Sequence, residues 1–320
     1  MEKPSLVYTV TLNPVIDRIY QVDEFEKGTT FRCDSMEIFP AGKGLSVSYA
    51  LSSMGVQSEA YLPVGYEDLA VYQRFCEQHK VQLHPFTDDF HVRSHCTILE
   101  TVSSRVTHIQ THGVNIEEEC IRVLTEDLVN HLRLDDLVIL SGSLPPNLPS
   151  DCYAKIIEKC KRKGARVCLD TSGEPLRHGV PAHPFVLKIN QQEAEELTSH
   201  PIRTPQDVYT VLQAIRQIST IPVLAVSLGA EGLIGGCDEG IWRMKIDLEP
   251  ERVKDTVGSG DSLMAGMVYG LLQKMECKEM FRYALAAATA AVMQLGPGLL
   301  NPDWIQEMWD LVQIEHLGEF

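Results

Sequence analysis

Asp255-Thr-Val-Gly-Ser-Gly-Asp-Ser262 leads straight into Leu263-Met-Ala-Gly-Met-Val-Tyr-Gly-Leu-Leu272, a polar, glycine-rich turn followed by an uncharged apolar run. The apolar run predicts a buried helix. Glycines at a helix start let consecutive backbone N–H groups converge, and the helix dipole adds positive potential at the same end. Such a turn holds an anion, and phosphate suits it best. A carboxylate there would repel a resting phosphate, so Asp261 needs another task. Taking a proton from an attacking hydroxyl is one. Cradle and base together are the kit for phosphoryl transfer. Residues 258–262 also read as an ordinary loop-to-helix junction with Asp261 as N-cap, so the rest of the chain must weigh between the two.

Upstream, apolar strand-like runs alternate with amphipathic helical patterns. Strands are predicted at 6–12, 137–140, 166–170, 185–189 and 222–227, and helices at 46–54, 69–79, 120–132, 151–163 and 205–218. Apolar strands separated by helices indicate a parallel sheet covered on both faces. From Asp261 to about Ile314 the pattern is almost wholly helical. Two stretches depart from the alternation: 17–39 is extended and polar, and 91–111 alternates like a hairpin turning near Ser103-Ser104. Neither is followed by a helix. They predict a small separate sheet serving as a lid, which would keep water from a transferring group. The expected fold is α/β: residues 1–320 form a three-layer α/β/α domain with a central, mostly parallel sheet. The lid is inserted from about 17–40 and 91–111.

The chain has 320 residues, enough for a large core, and a net charge of −16. That charge argues against a nucleic-acid or anionic-membrane partner. An anionic substrate then needs a local basic pocket. No apolar run has the length of a membrane span, and the N-terminal stretch lacks the charged-then-apolar layout of a signal peptide. Nine cysteines form no C-x-x-C pair. Neither a disulfide framework nor a zinc site is indicated, and reduced thiols in the cytoplasm are the expectation.

Several nucleotide motifs are excluded. Gly42-Lys-Gly44 lacks the upstream glycine and following Ser/Thr of a P-loop, and Leu263 stands where G-x-G-x-x-G needs its third glycine. What is present is an ordered series: Thr11-Leu-Asn-Pro-Val-Ile-Asp17, Ala41-Gly-Lys-Gly44, Arg93, Ser141-Gly-Ser-Leu-Pro-Pro146, Asp170-Thr-Ser-Gly-Glu174, Lys188-Ile-Asn-Gln-Gln-Glu193, Ser227-Leu-Gly-Ala-Glu-Gly232 and Gly258-Ser-Gly-Asp261. This order resembles the ribokinase-like (PfkB) carbohydrate kinases over nearly the whole chain, and within them the hexose-phosphate branch.

The resemblance implies ATP and Mg²⁺ as cosubstrate and cofactor, and a sugar or sugar phosphate as acceptor. Asp261 would be the base, with backbone N–H groups of Gly258, Ser259 and Gly260 at the anion. Asp17, Gly42, Lys43, Ser46, Arg93 and Ser141 would meet the sugar phosphate. Lys188, Asn190, Glu193, Ser227, Gly229 and Gly232 would serve the nucleotide side, Asn190 and Glu193 holding Mg²⁺ through its waters. Each has a plainer reading: Asp17 as a turn residue, Lys43 as a solvated lysine, Arg93 as a solvated hairpin arginine, Asn190 with Glu193 as a capping pair. Asp255 is read as a turn residue. The alanine-rich segment 284–294 would pack near the adenine, its small residues serving helix packing more than contact.

The chain departs from the family at Ser46 for asparagine, His108 and Gln110 for Glu and Asn, Asn147 for glycine and Ser259 for alanine. Ser259 should be harmless, whereas Ser46, His108 and Asn147 are expected around the sugar and can change its identity. The resemblance implies phosphorylation of a ketohexose phosphate, fructose 1-phosphate first and tagatose 6-phosphate second. Isolated lid sheets tend to pair edges or faces, so a homodimer joined through the lids is expected. A non-catalytic sugar-phosphate sensor on the same fold is the alternative of another class.

Overall fold

The computed structural model describes residues 5–33, 35–103, 105–296 and 298–320. In the first half run β1 (Val7–Val10), β2 (Val15–Val22), β3 (Met36–Ala41), α1 (Lys43–Ser53), β4 (Glu59–Gly65), α2 (Leu69–Gln78), β5 (Gln82–Asp88), β6 (Arg93–Glu100) and β7 (Val106–Gln110). Then come α3 (Glu118–His131), β8 (Leu137–Ser141), α4 (Cys152–Arg162), β9 (Arg166–Asp170), α5 (Gly173–Gly179), β10 (Val186–Asn190), α6 (Gln191–Thr198) and α7 (Pro205–Ile218). The chain closes with β11 (Val223–Ser227), β12 (Leu233–Cys237), β13 (Gly240–Lys245), α8 (Ser259–Leu272), α9 (Cys277–Val292), α10 (Pro302–Leu311) and β14 (Gln313–Gly318).

Ten strands form one sheet in the order β14-β13-β12-β11-β10-β9-β8-β1-β4-β5, parallel from β11 to β5 and antiparallel beyond. Alternate residues of each strand feed opposite cores, as the two-residue period of a strand requires. Tyr8 and Val10 pack with Leu124 of α3, Ile156 of α4 and Leu212 of α7. Val7, on the other face, packs with Ala50 of α1, Met264 of α8 and Ala287 of α9. The sheet is therefore the middle of three layers, as the alternating pattern predicted. A second sheet, β3-β2-β6-β7, stands apart. It arises from the two stretches that lack helices, β6 and β7 pairing antiparallel as the predicted hairpin. Ser104 of its turn, like Met1 to Pro4 at the N-terminus, lies outside the described residues.

Expectation and structure differ at two points. The helical pattern does not run to about Ile314 but ends at Leu311, and Gln313–Gly318, where no strand is predicted, pairs antiparallel with β13 as the sheet's edge strand. Its partner lies about seventy residues upstream, beyond the reach of any local pattern. Nor are all thiols free: Cys237 and Cys277 form a disulfide, and the other seven cysteines are unpaired. The β12–β13 hairpin turns beside the start of α9, a neighbourhood that a separation of 40 residues hides. Among the described residues no helix is long and apolar enough to cross a membrane.

Candidate active site

The topology reverses at β1. The chain winds outward through β4 and β5 on one side and through β8 to β11 on the other, and the crevice beyond such a switch point is where open α/β sheets take ligands. The loops there touch, Asn13 Nδ2 donating to Ser143 Oγ at 2.9 Å. The start of α1 is pressed onto β1 by Gly42, whose φ of +139° and closeness to the Thr11 side chain leave no room for a Cβ.

Asp170 ends β9 and is fully buried. Lys43 Nζ, from the start of α1, and buried Lys188 Nζ, from β10, donate to it at 3.2 and 3.1 Å. Burial opposes ionisation of Asp170, but the two ammonium groups outweigh it and hold the carboxyl below its usual range. Lys43 is correspondingly raised, chiefly by Asp170 against its own desolvation, with Asp261 and Glu193 adding. It is therefore no free surface lysine. The turn before α8 closes on the same cluster: a Cβ on Gly260 would lie 2.8 Å from Lys188 Nζ. Two cations and a helix N-terminus thus face one spot, the local basic pocket that the acidic chain requires.

Asp261 is not the N-cap. Gly258, in the left-handed region at φ +83°, holds that position, and Asp261 is the third residue of α8. The cap reading fails because the glycine, not the carboxylate, makes the turn. Burial pushes the Asp261 carboxyl up to about 7, with Lys43 opposing, Asp170 adding, and Lys188 and the Ser46 hydroxyl opposing. A base that titrates near neutrality is suited to proton transfer.

On one side of Asp261 lie the residues expected to meet the sugar. Asp17 falls within β2 rather than in a turn, buried, with Thr97 Oγ donating to its two carboxylate oxygens at 3.1 and 3.2 Å. Desolvation raises its carboxyl, partly offset by Thr97 and His108. Arg93 is half-buried and donates to the carbonyls of Asn13 and Pro14 at 3.1 and 3.3 Å, which is not a solvated hairpin arginine. Ser141 ends β8, buried, its Oγ without a partner among the described residues. Ser46 sits near Asp261. Asn147 is different: its amide pairs with both backbone groups of Ile116, at 3.1 and 2.8 Å. It ties down a loop.

On the other side is a cleft of about 500 Å³ lined by Ser227, Gly229, Gly232, Ser259, Gly260 and Leu285, among others. The loop after β11 and the turn before α8 therefore share one space. Helix α9 does two things here. Ala288 and Thr289 line the cleft, whereas Ala284 and Ala287 are buried against α8 and the sheet.

Asn190 and Glu193 form a capping box, Asn190 Oδ1 accepting from Glu193 N–H at 2.9 Å and Glu193 Oε2 from Asn190 N–H at 2.8 Å. The plainer reading of the pair is thus seen directly. The cap uses one carboxylate oxygen of Glu193, which also lies close enough to Lys43 to help hold it charged. A hard oxygen donor at the edge of an anion site fits Mg²⁺, which keeps most of its waters.

Sequence reasoning missed two residues. The local order of residues 170–174 says nothing of the two lysines that Asp170 gathers, although a carboxylate ending an apolar parallel strand points to the crevice. His95 of β6 stands in register with Asp17, and its Nε2 is buried without a partner among the described residues. Burial, aided by Arg93 and His108, pushes it down to about 4, so it is neutral at neutral pH. Nothing in an alternating hairpin pattern separates such a histidine from its neighbours.

Residues 10–304 match the model of the pfkB family of carbohydrate kinases. The chain is 29% identical to a 1-phosphofructokinase of Bacillus subtilis over 98% of its length and 100% of the relative's. It is 28% identical to a tagatose-6-phosphate kinase of Staphylococcus epidermidis, covering 97% and 99% of the two chains. It also superimposes with a TM-score of 0.88 on the tetrameric inhibited form of phosphofructokinase-2 from Escherichia coli, at 24% identity, covering 96% and 98% of the chains.

Proposed function

Because the chain belongs to the pfkB family of carbohydrate kinases, and is thus an ATP-dependent sugar kinase, we propose that its acceptor is a ketohexose phosphate. Fructose 1-phosphate, giving fructose 1,6-bisphosphate, is the first choice and tagatose 6-phosphate the second. The likeness to a 1-phosphofructokinase and a tagatose-6-phosphate kinase over nearly the whole chain supports the acceptor, and one observation carries the transfer: the loop residues Ser227, Gly229 and Gly232 share a cleft with Ser259 and Gly260 of the anion turn. A nucleotide lying there would present its terminal phosphate to the turn that carries Asp261.

In the proposed step the acceptor oxygen bonds to the γ-phosphorus while the bond from that phosphorus to the β,γ-bridging oxygen breaks. The hydroxyl proton passes to Asp261, and ADP leaves. Lys43, Lys188 and the N–H groups of 258–261 offset the charge on the transferring group, with Asp170 holding the two ammonium groups in place. Asp17 accepts from a sugar hydroxyl, and Arg93 keeps donors beyond those given to Asn13 and Pro14 for the sugar's phosphate. Glu193, with Asn190, would hold Mg²⁺ through its waters, and the ion would neutralise ATP phosphate charge. We further propose that two copies pair through the exposed face of the small sheet.

The test is ATP consumption measured over a panel of sugars and sugar phosphates. Fastest turnover with fructose 1-phosphate is expected. Faster turnover of tagatose 6-phosphate would move the first choice to the second. No turnover with any of them, alongside tight sugar-phosphate binding, would replace the kinase by a non-catalytic sensor.

A further inference from the structure

A run of polar side chains leads from the small sheet to the turn before α8. Thr97 of β6 donates to Asp17, and His108 of β7 places Nδ1 at 3.1 Å from the same Thr97 Oγ. On the other edge of the imidazole, Nε2 lies 3.6 Å from Oδ1 of Asp255. A threonine hydroxyl has a single proton. With that proton directed at Asp17, Thr97 Oγ accepts from Nδ1–H of His108; when the ring carries its second proton, Nε2–H on the far edge faces Asp255 and the run is complete. Asp255 is itself buried and fixed, accepting from the Val257 N–H at 3.0 Å within the turn that continues to Asp261.

Asp17 and Asp255 lie far apart in the chain and on different parts of the fold, one on the small sheet and one beside the main sheet. Resting on the reading that Asp17 holds the sugar and Asp261 takes its proton, we propose that His108 is a positioning residue. It ties the sugar-holding carboxylate, through Thr97, to the turn that carries the base. The small sheet is thereby docked in the one placement that brings the acceptor hydroxyl to Asp261. A misplacement of about 1 Å at a reacting centre costs on the order of 10²-fold in rate, so a half-exposed histidine on an edge strand acquires a catalytic consequence.

The experiment uses whichever acceptor the wild-type enzyme turns over fastest, with His108→Ala, His108→Asn, Asp255→Asn and the double variant His108→Ala/Asp255→Asn. His108→Ala is expected to lower kcat/KM for the acceptor at least about tenfold, while KM for ATP stays within about twofold. His108→Asn, which can still reach Thr97 but not Asp255, should behave like the alanine variant. The double variant should be no worse than the poorer single one, because both changes break one connection. Unchanged kcat/KM, wild-type behaviour of His108→Asn, additive losses, or an equal rise in KM for ATP would each overturn the proposal. Thermal unfolding of each variant separates these outcomes from loss of fold. A wild-type enzyme that phosphorylates no acceptor removes the kinase reading and this inference with it, whereas an active enzyme with unaffected variants removes the inference alone.

Discussion

In the role proposed for it, Asp261 serves chemistry at the expense of the fold. Its carboxyl, pushed up to about 7 by burial, must be ionised to accept a proton, so kcat/KM should climb roughly tenfold per pH unit up to about 7 and then level off. Stability should run the other way. The folded state binds this proton more tightly than the unfolded chain, whose carboxyl titrates near the ordinary value of about 4. The contribution is therefore fully present below pH 4 and is lost as pH rises through about 7. Asp261→Asn keeps the shape and removes the buried charge. It should lower kcat by about 10² or more, flatten the acid limb of the profile, and raise the melting temperature at pH 8 by a few degrees. Stopped assays and thermal scans of the two proteins check both halves. Turnover close to wild type would end the base assignment.

The helix pair α8 and α9 connects this chemistry to the cleft proposed for the nucleotide. α8 is apolar all round because it is buried all round, and two of its glycines let α9 approach. At Gly266 a Cβ would stand 2.5 Å from Ala284 Cα, backbone that has nowhere to go. Gly266→Val should therefore push α9 away from α8, shifting Ala288 and Thr289 at the cleft wall. The expected outcome is a rise in KM for ATP of about tenfold, with destabilisation of about 1–3 kcal/mol from overpacking. Steady-state kinetics and denaturant melts would measure these, and a variant with wild-type KM for ATP would refute the link from packing to binding. At this scale the chain reads well where an element carries its own pattern. Helix α7 and strand β9 fall at the predicted residues, because a capping box and proline mark the first and a run of apolar residues the second. β14 is absent from the predicted strands because an exposed edge strand has no buried face to give it a period.

For the whole molecule, the exposed face of the small sheet is where a second copy is expected. Met36 and Ile38 of β3 and Ile109 of β7 stand 45%, 39% and 54% exposed there, and apolar side chains presented together by a sheet favour a partner. Wild-type protein should sediment as a dimer at micromolar concentration, and Ile38→Glu with Ile109→Glu should shift it to monomer. A wild-type monomer under the same conditions would rule this pairing out. The sequence by itself determined the layered α/β architecture, the second sheet, and the order of the motifs that the fold brings to one crevice, because strand and helix periods and glycine-bearing turns are local signals. Only the tertiary structure decided that Gly258 caps α8 while Asp261 lies buried behind it, that Asp170 gathers Lys43 and Lys188, and that Asn147 serves Ile116. It alone set Cys237 beside Cys277 and His108 between Thr97 and Asp255. Each of these joins residues tens to more than a hundred positions apart, or depends on how deeply a side chain is buried, and neither distance nor burial is written in the local order of residues.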